Sequence, residues 1–197
     1  SHVDLYQIHT PLGWWSKPKF VSALADTVNA GLTRAVGVSN FDREKTKLAN
    51  ETLQTLGVPL ASNQVEYSLF DRRIEKNGLL DYCHENDITV IAYSPLAKGM
   101  ATGKYGPENP PSGPRKHMYP TEKLQAFQPL IALLKKLGAA HGKTPAQVAL
   151  NWTICKGTVP IPGAKNANQA AENLGAMGWR LKPEEVVALD KASILPV

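Results

Sequence analysis

Polar side chains stand where each short apolar run of this 197-residue chain ends. Their amide, hydroxyl, imidazole and ammonium groups donate and accept hydrogen bonds, which is the chemistry that holds a polar small molecule in place. If the runs are parallel strands of a barrel, their carboxyl ends meet at one rim, and a single pocket is expected to receive them all. The residues are His9, Ser39, Asn40, Asn63, Gln64, Glu66, Tyr93, Ser94, Gly163, Ala164 and Lys165.

The charge of the chain favours a phosphate-bearing ligand. The 22 Lys and Arg residues oppose 17 Asp and Glu residues, which gives a net charge of +5. No block of five like charges occurs, so the scattered cations suit a phosphate-bearing small molecule better than a nucleic acid. Residues 94–120 are rich in proline and glycine and carry Lys98, Lys104, Arg115 and Lys116. So long an irregular segment is either disordered or a functional loop, and its cations favour contact with an anion.

Strands and helices are predicted to alternate along the chain. Short apolar runs bounded by polar residues and proline predict strands at 3–8, 34–38, 61–66, 88–93 and 159–161. Helix starts are indicated by first-turn prolines and by polar residues that can cap a helix N-terminus. The signals are Pro18, Asp42, Pro129, Thr144 with Gln147, Asn166 with Gln169, and Pro183, and a further helix is expected through Leu79, Leu80 and Cys83.

This alternation is typical of an α/β fold built on a parallel sheet. An open nucleotide-binding sheet usually carries a glycine-rich turn after its first strand, and here that turn reads His9-Thr10-Pro11-Leu12-Gly13. The pattern therefore favours a (β/α)8 TIM barrel. A whole barrel takes about 250 residues, so five units in 197 residues suggest that about three units are missing, and we expect residues 1–197 to form one domain that is a partial barrel.

Other features exclude several classes of protein. No run approaches the roughly 18 apolar residues of a membrane span, and residues 1–20 do not resemble a signal peptide. Cys83 and Cys155 have neither metal-site nor disulfide spacing, so reduced thiols and no metal are expected. Four histidines outside the strand ends are expected to be exposed and without partners; they are His2, His84, His117 and His141.

Five ordered strings resemble the aldo-keto reductase family, and more closely its plastid and potassium-channel-β-like branches. They are DLYQIH at 4–9, VGVSNF at 36–41, NQVEYS at 63–68, AYSPL at 92–96 continuing to GKY at 103–105, and IPGAK at 161–165 followed by Gln169, Glu172 and Asn173. The resemblance covers nearly the whole chain and implies an NADPH-dependent reductase that converts aldehydes or ketones to alcohols.

The resemblance also implies a role for each matching residue. Ser39, Asn40 and Gln64 are expected to hold the nicotinamide carboxamide, and Tyr93 to stack on the nicotinamide ring. His9 corresponds to the catalytic-set histidine that orients the substrate carbonyl. The pyrophosphate is assigned to Ser94, Pro95, Leu96, Ala97, Gly99, Lys104 and Arg115, within the cofactor-covering loop 94–120. The 2′-phosphoribose is assigned to Gly163, Lys165 and Gln169, and the adenine to Glu172 and Asn173.

The chain departs from the family pattern in one respect. The resemblance implies that the chain supplies about strands 4 to 8 of the barrel, whereas the catalytic tyrosine, aspartate and lysine of the family belong to the second and third βα units. These three residues have no counterpart here, so the chain alone is expected to be inactive or very slow. Three arrangements are compatible with the sequence. An N-terminal segment of the natural protein completes the barrel, another chain completes it, or the five strands close in a different way. An alternative function is a non-catalytic NADPH-binding regulatory or scaffolding module. Trp14 and Trp15 could line a substrate site, and a chloroplast location is favoured over a cytoplasmic one.

Overall fold

The computed structural model describes residues 1–13, 17–113 and 115–194, apart from the side chains of Arg115 and Lys116. Five strands form one sheet in the sequential order β1-β2-β3-β4-β5. They are β1 (Val3–Ile8), β2 (Thr33–Ser39), β3 (Leu60–Glu66), β4 (Thr89–Tyr93) and β5 (Val159–Ile161). The pairs β1–β2, β2–β3 and β3–β4 are parallel. A sequential parallel order lacks the reversal of strand order that defines a doubly wound sheet, as the sequence predicted.

The chain divides into two compact units. The first comprises Ser1–Glu66, Arg72–Tyr93 and Gly157–Val159, and the second comprises Tyr67–Asp71, Ser94–Lys156 and Pro160–Val197. The prediction that residues 1–197 form one domain stays a prediction.

Helices α1 (Pro18–Asn29), α2 (Arg43–Gln54), α3 (Arg73–Lys76) and α4 (Leu79–Glu85) belong to the first unit. Pro18 begins α1 as predicted, and the carboxylate of Asp42 caps α2 by accepting a 2.8 Å hydrogen bond from the Lys45 amide. The core of this unit includes Val21, Leu24, Val36, Val38, Leu53, Cys83 and Val90, each at most 3% exposed. Burial raises the pKa of the Cys83 thiol to about 12.

The second unit is helical. It contains a 3₁₀ segment (Ala97–Thr102), α5 (Arg115–Met118), α6 (Thr121–Ala126), α7 (Gln128–His141), α8 (Pro145–Cys155), α9 (Ala167–Leu174) and α10 (Pro183–Ala192). The predicted capping box of α8 is present, because Thr144 and Gln147 exchange hydrogen bonds of 3.2 and 3.0 Å. The fully buried Asn151 carboxamide donates to the carbonyls of Ala176 and Trp179 and accepts from the amide of Leu181. It thereby fixes the chain between α9 and α10.

Two expectations are corrected in the second unit. Residues 94–120 are not irregular throughout, because they contain the 3₁₀ segment and α5. Met100, Leu124 and Phe127 pack in one cluster with Ala97 and Tyr119. His141 is not exposed without partners, since its Nε2 lies 2.9 Å from Oε1 of Glu185 and its ring lies 4.9 Å from the Trp179 ring. The local pattern of α7 could not predict this pairing, because Glu185 lies 44 residues further along the chain.

The described residues hold no helix that is both long and apolar enough to cross a membrane. Within the same ranges, no three His, Cys, Asp or Glu side chains come together in a way that could hold a metal ion. Cys83 and Cys155 are both free thiols.

Candidate functional site

The ends of β2 and β3 are joined by hydrogen bonds in the first unit. The Ser39 hydroxyl donates a 2.8 Å hydrogen bond to the carbonyl of Gln64, and the Asn40 backbone amide donates to the same carbonyl at 2.9 Å. Ser39 is buried, whereas Asn40 is exposed. The neighbouring strand therefore fixes the Ser39 side chain and the Asn40 backbone at the carboxyl edge of the sheet.

Asn40 connects three strand ends. Its Nδ2 donates to the carbonyl of His9 at 3.2 Å and to Oγ of Ser39 at 3.1 Å, and its Oδ1 accepts a 2.9 Å hydrogen bond from the Tyr93 hydroxyl. Asn40 has a φ of +61°, a left-handed conformation that asparagine tolerates better than most residues. These contacts define a strand-end cluster of His9, Ser39, Asn40, Gln64 and Tyr93.

Two members of the strand-end cluster keep polar groups available. The half-buried carboxamide of Gln64 and the exposed imidazole of His9 form no side-chain hydrogen bond with another residue in the described ranges. A buried amide normally finds a partner, so Gln64 is suited to meet a ligand that presents complementary donors and acceptors.

The other two predicted polar residues of the third strand differ in where they lie, because Asn63 is buried whereas Glu66 lines a pocket together with Asn40 and Tyr93. Asn63 is fully buried and donates to the Phe41 carbonyl and the Thr46 hydroxyl, both at 2.9 Å. Its Oδ1 is buried and has no hydrogen-bond partner in the described part of the chain. Glu66 lies 3.5 Å from the guanidinium of Arg73. Because side chains alternate along a strand, Asn63 faces away from its neighbour Gln64, and the prediction that it shares the pocket is wrong.

The second unit contains a cavity of about 650 Å³, which we call the basic cleft. It brings together most of the residues that the family resemblance assigned to the phosphates and the adenosine. Its lining consists of Ser94, Pro95, Leu96, Lys98, Gly99, Thr102, Lys104, Tyr105, Ala146, Pro162, Gly163, Ala164, Lys165, Gln169, Glu172 and Asn173.

The segment after β4 enters the cleft in an unusual backbone conformation. Ser94, Ala97 and Lys98 have φ values of +52°, +47° and +55°, and Gly99 has a φ of +101°. Such angles cost energy in residues other than glycine, so the surrounding structure must impose them. The buried Tyr119 contributes by donating a 3.0 Å hydrogen bond from its hydroxyl to the Ala97 carbonyl. This hydrogen bond helps to hold the turn at Ala97.

The opposite wall of the cleft carries the N-terminus of α9. Oδ1 of Asn166 caps this helix by accepting from the Gln169 amide at 3.0 Å, and Oε1 of Gln169 accepts from the Lys165 amide at 2.8 Å. A Cβ added at Gly163 would meet no atom within 4 Å, so this backbone borders open space. The remaining amides of the first helical turn lack acceptors within the helix and attract anions.

Two lysines of the basic cleft form no ion pair with another described residue, although the carboxylate of Glu172 also lines the cleft. Lys104 and Lys165 are exposed, and neither forms an ion pair with another described residue. The Lys98 ammonium lies 3.6 Å from the Met118 sulfur. A cleft that contains Lys104, Lys165 and a helix N-terminus favours an anion such as a phosphate.

Some predicted residues lie outside these two sites. The methyl group of Ala97 is buried in the cluster with Met100 and does not line the cleft. The side chain of Arg115 and the whole of Trp14 and Trp15 lie outside the described residues. The cleft also contains lining residues that were not predicted, namely Thr102, Tyr105, Ala146 and Pro162. Tyr105 and Pro162 fall within the strings GKY and IPGAK that resemble the family, and this resemblance could have predicted that they line the cleft.

The fold and the two sites define an α/β protein with a sequential parallel sheet, polar strand ends and a cleft suited to bind a phosphate. The sequence profile of the aldo/keto reductase family matches residues 1–194. The chain belongs to the aldo/keto reductase family.

Curated relatives support this assignment. The chain is 43% identical over 170 residues to the chloroplastic pyridoxal reductase of Arabidopsis thaliana, covering 86% of this chain and 46% of that protein. It is 33% identical over 199 residues to the aldo-keto reductase yakc [NADP(+)] of Schizosaccharomyces pombe, covering 96% of this chain and 57% of that protein. The chain thus spans about half the length of the curated relatives it matches.

Solved structures of the family share the fold. A thermostable aldo-keto reductase in complex with the inhibitor epalrestat matches this chain with a TM-score of 0.77 and 32% identity. The match covers 97% of this chain and 60% of the chain of that reductase. The glycerol dehydrogenase of Gluconobacter oxydans has a TM-score of 0.85 and 27% identity, covering 97% of this chain and 58% of its own.

Proposed function

We propose that this chain carries the NADPH-binding part of an aldo-keto reductase that reduces aldehyde or ketone carbonyls to alcohols. The observation that carries the proposal is the basic cleft. It gathers the residues assigned to the phosphates and adenosine, and it leaves Lys104 and Lys165 without carboxylate partners among the described residues. An anionic cofactor with several phosphates fits a site of this charge.

The strand-end cluster suits the nicotinamide carboxamide. Gln64 offers an unpaired amide, and Oδ1 of Asn40 keeps one lone pair after it accepts from Tyr93. Ser39 is held in place by the Gln64 carbonyl. We assign the carboxamide to Ser39, Asn40 and Gln64, and the face of the nicotinamide ring to Tyr93.

In the basic cleft, we assign the pyrophosphate to Ser94, Pro95, Leu96, Ala97, Gly99, Lys104 and Arg115. Ala97 acts through its backbone, because its side chain is buried. The 2′-phosphoribose is assigned to Gly163, Lys165 and Gln169 beside the N-terminus of α9, and the adenine to Glu172 and Asn173. The open space at Gly163 supports close approach of a phosphate to the backbone. Lys165 near that helix N-terminus supports a preference for NADPH over NADH.

When bound, the reduced nicotinamide supplies a hydride to the substrate carbonyl. To the exposed imidazole of His9 we assign the role of a hydrogen-bond partner that orients that carbonyl. No residue of this chain matches the tyrosine that donates the proton in the family, or the aspartate and lysine that assist it. Because general acid catalysis contributes about 10²- to 10⁴-fold, we expect this chain alone to turn over very slowly.

We further propose that a segment carrying those three residues completes a (β/α)8 barrel, on the same polypeptide or on another chain. Exposed apolar residues on the outer strands support this proposal: Val3 and Tyr6 of β1 are each 52% exposed, and Val159 of β5 is 50% exposed. The edge of β1 also borders an apolar groove of about 450 Å³ that includes Ile8, Phe20 and Leu24. Unpaired strand edges of this kind favour addition of further strands.

The relative named a chloroplastic pyridoxal reductase suggests pyridoxal as a first aldehyde to test and the chloroplast as a first location to test. Microscopy of a fluorescent fusion to the natural full-length product would test the location. Exclusive cytoplasmic fluorescence would contradict it.

Turnover by the natural full-length protein tests the activity. We expect NADPH to be oxidised when pyridoxal or a simple aldehyde is added, and His9→Ala to lower kcat by about tenfold or more. Saturable NADPH binding without turnover of any aldehyde would favour the non-catalytic regulatory module instead. Undiminished turnover in His9→Ala would contradict the role of His9.

A further inference from the structure

Helix α9 carries three residues of the basic cleft but has little burial to hold it in place. Gln169, Glu172 and Asn173 line the cleft, yet none of the eight residues of Ala167–Leu174 is buried. A helix without buried side chains lacks the apolar contacts that usually fix a helix position. Directional contacts to its backbone must therefore set where these three side chains stand.

The side chain of Gln147 makes such a contact. Its Oε1 accepts a 3.0 Å hydrogen bond from the Thr144 amide and so completes the capping box of α8. Its Nε2 donates a 2.8 Å hydrogen bond to the carbonyl of Glu172, 25 residues further along the chain. One carboxamide thus links the start of α8 to the last turn of α9. Ala146, which directly precedes Gln147, lines the cleft.

Gly175 leaves room for this contact. A Cβ at this position would lie 2.1 Å from Nε2 of Gln147 and 2.9 Å from its Cδ. The φ of Gly175 is −63°, an ordinary helical value that any residue adopts, so the backbone conformation does not require glycine here. A methyl group at this position would instead have to displace the Gln147 amide.

We infer that Gln147 is a positioning residue for the adenosine end of the cofactor and that Gly175 leaves the space for its side chain. Its hydrogen bond to the Glu172 carbonyl fixes the position of α9 relative to α8. In that position Gln169, Glu172 and Asn173 face the cleft. The inference rests on the proposed function, because it assigns the cleft to NADPH. Gln147 itself is not among the cleft-lining residues and acts through α9.

The two roles of Gln147 can be separated by substitution. In Gln147→Glu the carboxylate still accepts from the Thr144 amide, so the capping box survives. The donor to the Glu172 carbonyl is lost, and two acceptors then face each other. Gly175→Ala displaces the same amide without adding charge. Gln125→Glu is the matched control, because it adds the same charge on an exposed residue of α6.

Binding of NADPH and of adenosine 2′,5′-bisphosphate to the full chain, measured by isothermal titration calorimetry, tests the inference. We expect Gln147→Glu and Gly175→Ala to raise Kd for both ligands by about 3- to 10-fold, the value of one hydrogen bond. Gln125→Glu should leave both values unchanged. Weakened NADPH binding with unchanged adenosine 2′,5′-bisphosphate binding would overturn the inference, as would parental affinity in either variant.

Amide hydrogen exchange separates failure of the inference from failure of the cofactor assignment. Residues 167–174 should exchange faster in both variants than in the parent, while the first turn of α8 keeps its protection in Gln147→Glu. If the parent does not bind NADPH, the proposed function fails, and this exchange pattern alone decides whether Gln147 holds α9. Parental exchange across residues 167–174 would overturn the inference.

Discussion

The hydroxyl of Tyr93 donates a 2.9 Å hydrogen bond to Oδ1 of Asn40, which joins the end of β4 to the end of β2. The same Asn40 holds the carbonyl of His9 through Nδ2. A single exposed residue in a left-handed conformation therefore links three strand ends that are far apart in sequence. It fixes the polar edge on which the proposed nicotinamide site depends.

Substitution of Asn40 should reveal both its hydrogen bonds and its backbone conformation. Asn40→Ala removes all the side-chain hydrogen bonds and places a non-glycine residue without local polar support at a φ of +61°. We expect a loss of about 2 to 4 kcal/mol in the free energy of unfolding. Asn40→Gly should lose about 1 kcal/mol less, because glycine adopts this conformation without strain. Urea denaturation measures both, and a larger loss in the glycine variant would refute the conformational contribution.

Gly37 of β2 is predicted to tolerate no side chain. A Cβ there would lie 2.3 Å from the Ser62 hydroxyl and 2.9 Å from the Ser62 carbonyl, beside a register shift between β2 and β3. Gly37→Ala should lower the free energy of unfolding by about 1 to 3 kcal/mol through overpacking.

Gly163→Ala is the matched control for Gly37→Ala, since its methyl group would meet no atom within 4 Å. Thermal or urea unfolding should show parental stability for this control. Equal losses in the two alanine variants would indicate that close approach at Gly37 is not the cause.

The contact between His141 and the Glu185 carboxylate should make stability depend on pH in the acid range. Burial raises the pKa of the Glu185 carboxyl, but hydrogen bonds from the Lys182 amide and from His141 outweigh it and leave the pKa below its ordinary 4.5. A carboxyl with a depressed pKa stabilises the fold above its ordinary pKa, and this contribution is lost as pH falls below 4.5 through the folded-state value.

Glu185→Gln should therefore be less stable than the parent at neutral pH, by about 1 to 3 kcal/mol. The difference should shrink as the pH is lowered through the range below 4.5, where the parental carboxylate becomes protonated. Urea denaturation of both proteins at a series of pH values measures it. A difference that stays constant down to the acid limit would exclude a role for the charge of Glu185.

Local sequence signals were sufficient for the elements that position the site. The predicted strand over 3–8 coincides with Val3–Ile8, and the predicted strand over 61–66 begins one residue late. The caps at Asp42 and Thr144 form as expected, because capping depends on residues within one turn. At Asn166 the cap is present, but Gln169 bonds the Lys165 amide instead of completing a reciprocal box.

Features that depend on distant residues could not be read from the sequence. The left-handed backbone at Ala97 is held by Tyr119, which lies 22 residues later. The burial of Asn63 depends on Phe41 and Thr46, and the partner of His141 lies 44 residues away. Such contacts follow from packing in three dimensions, which overrides the local pattern.

Fluorescence titration of the chain with NADPH and with NADH tests the cofactor assignment most directly. We expect saturable NADPH binding at least about tenfold tighter than NADH binding, because the 2′-phosphate adds charge-assisted hydrogen bonds to Lys165 and the N-terminus of α9. Lys165→Gln should bring the two Kd values together while leaving NADH affinity unchanged. The absence of saturable NADPH binding by chain whose circular dichroism confirms a folded α/β structure would contradict the assignment.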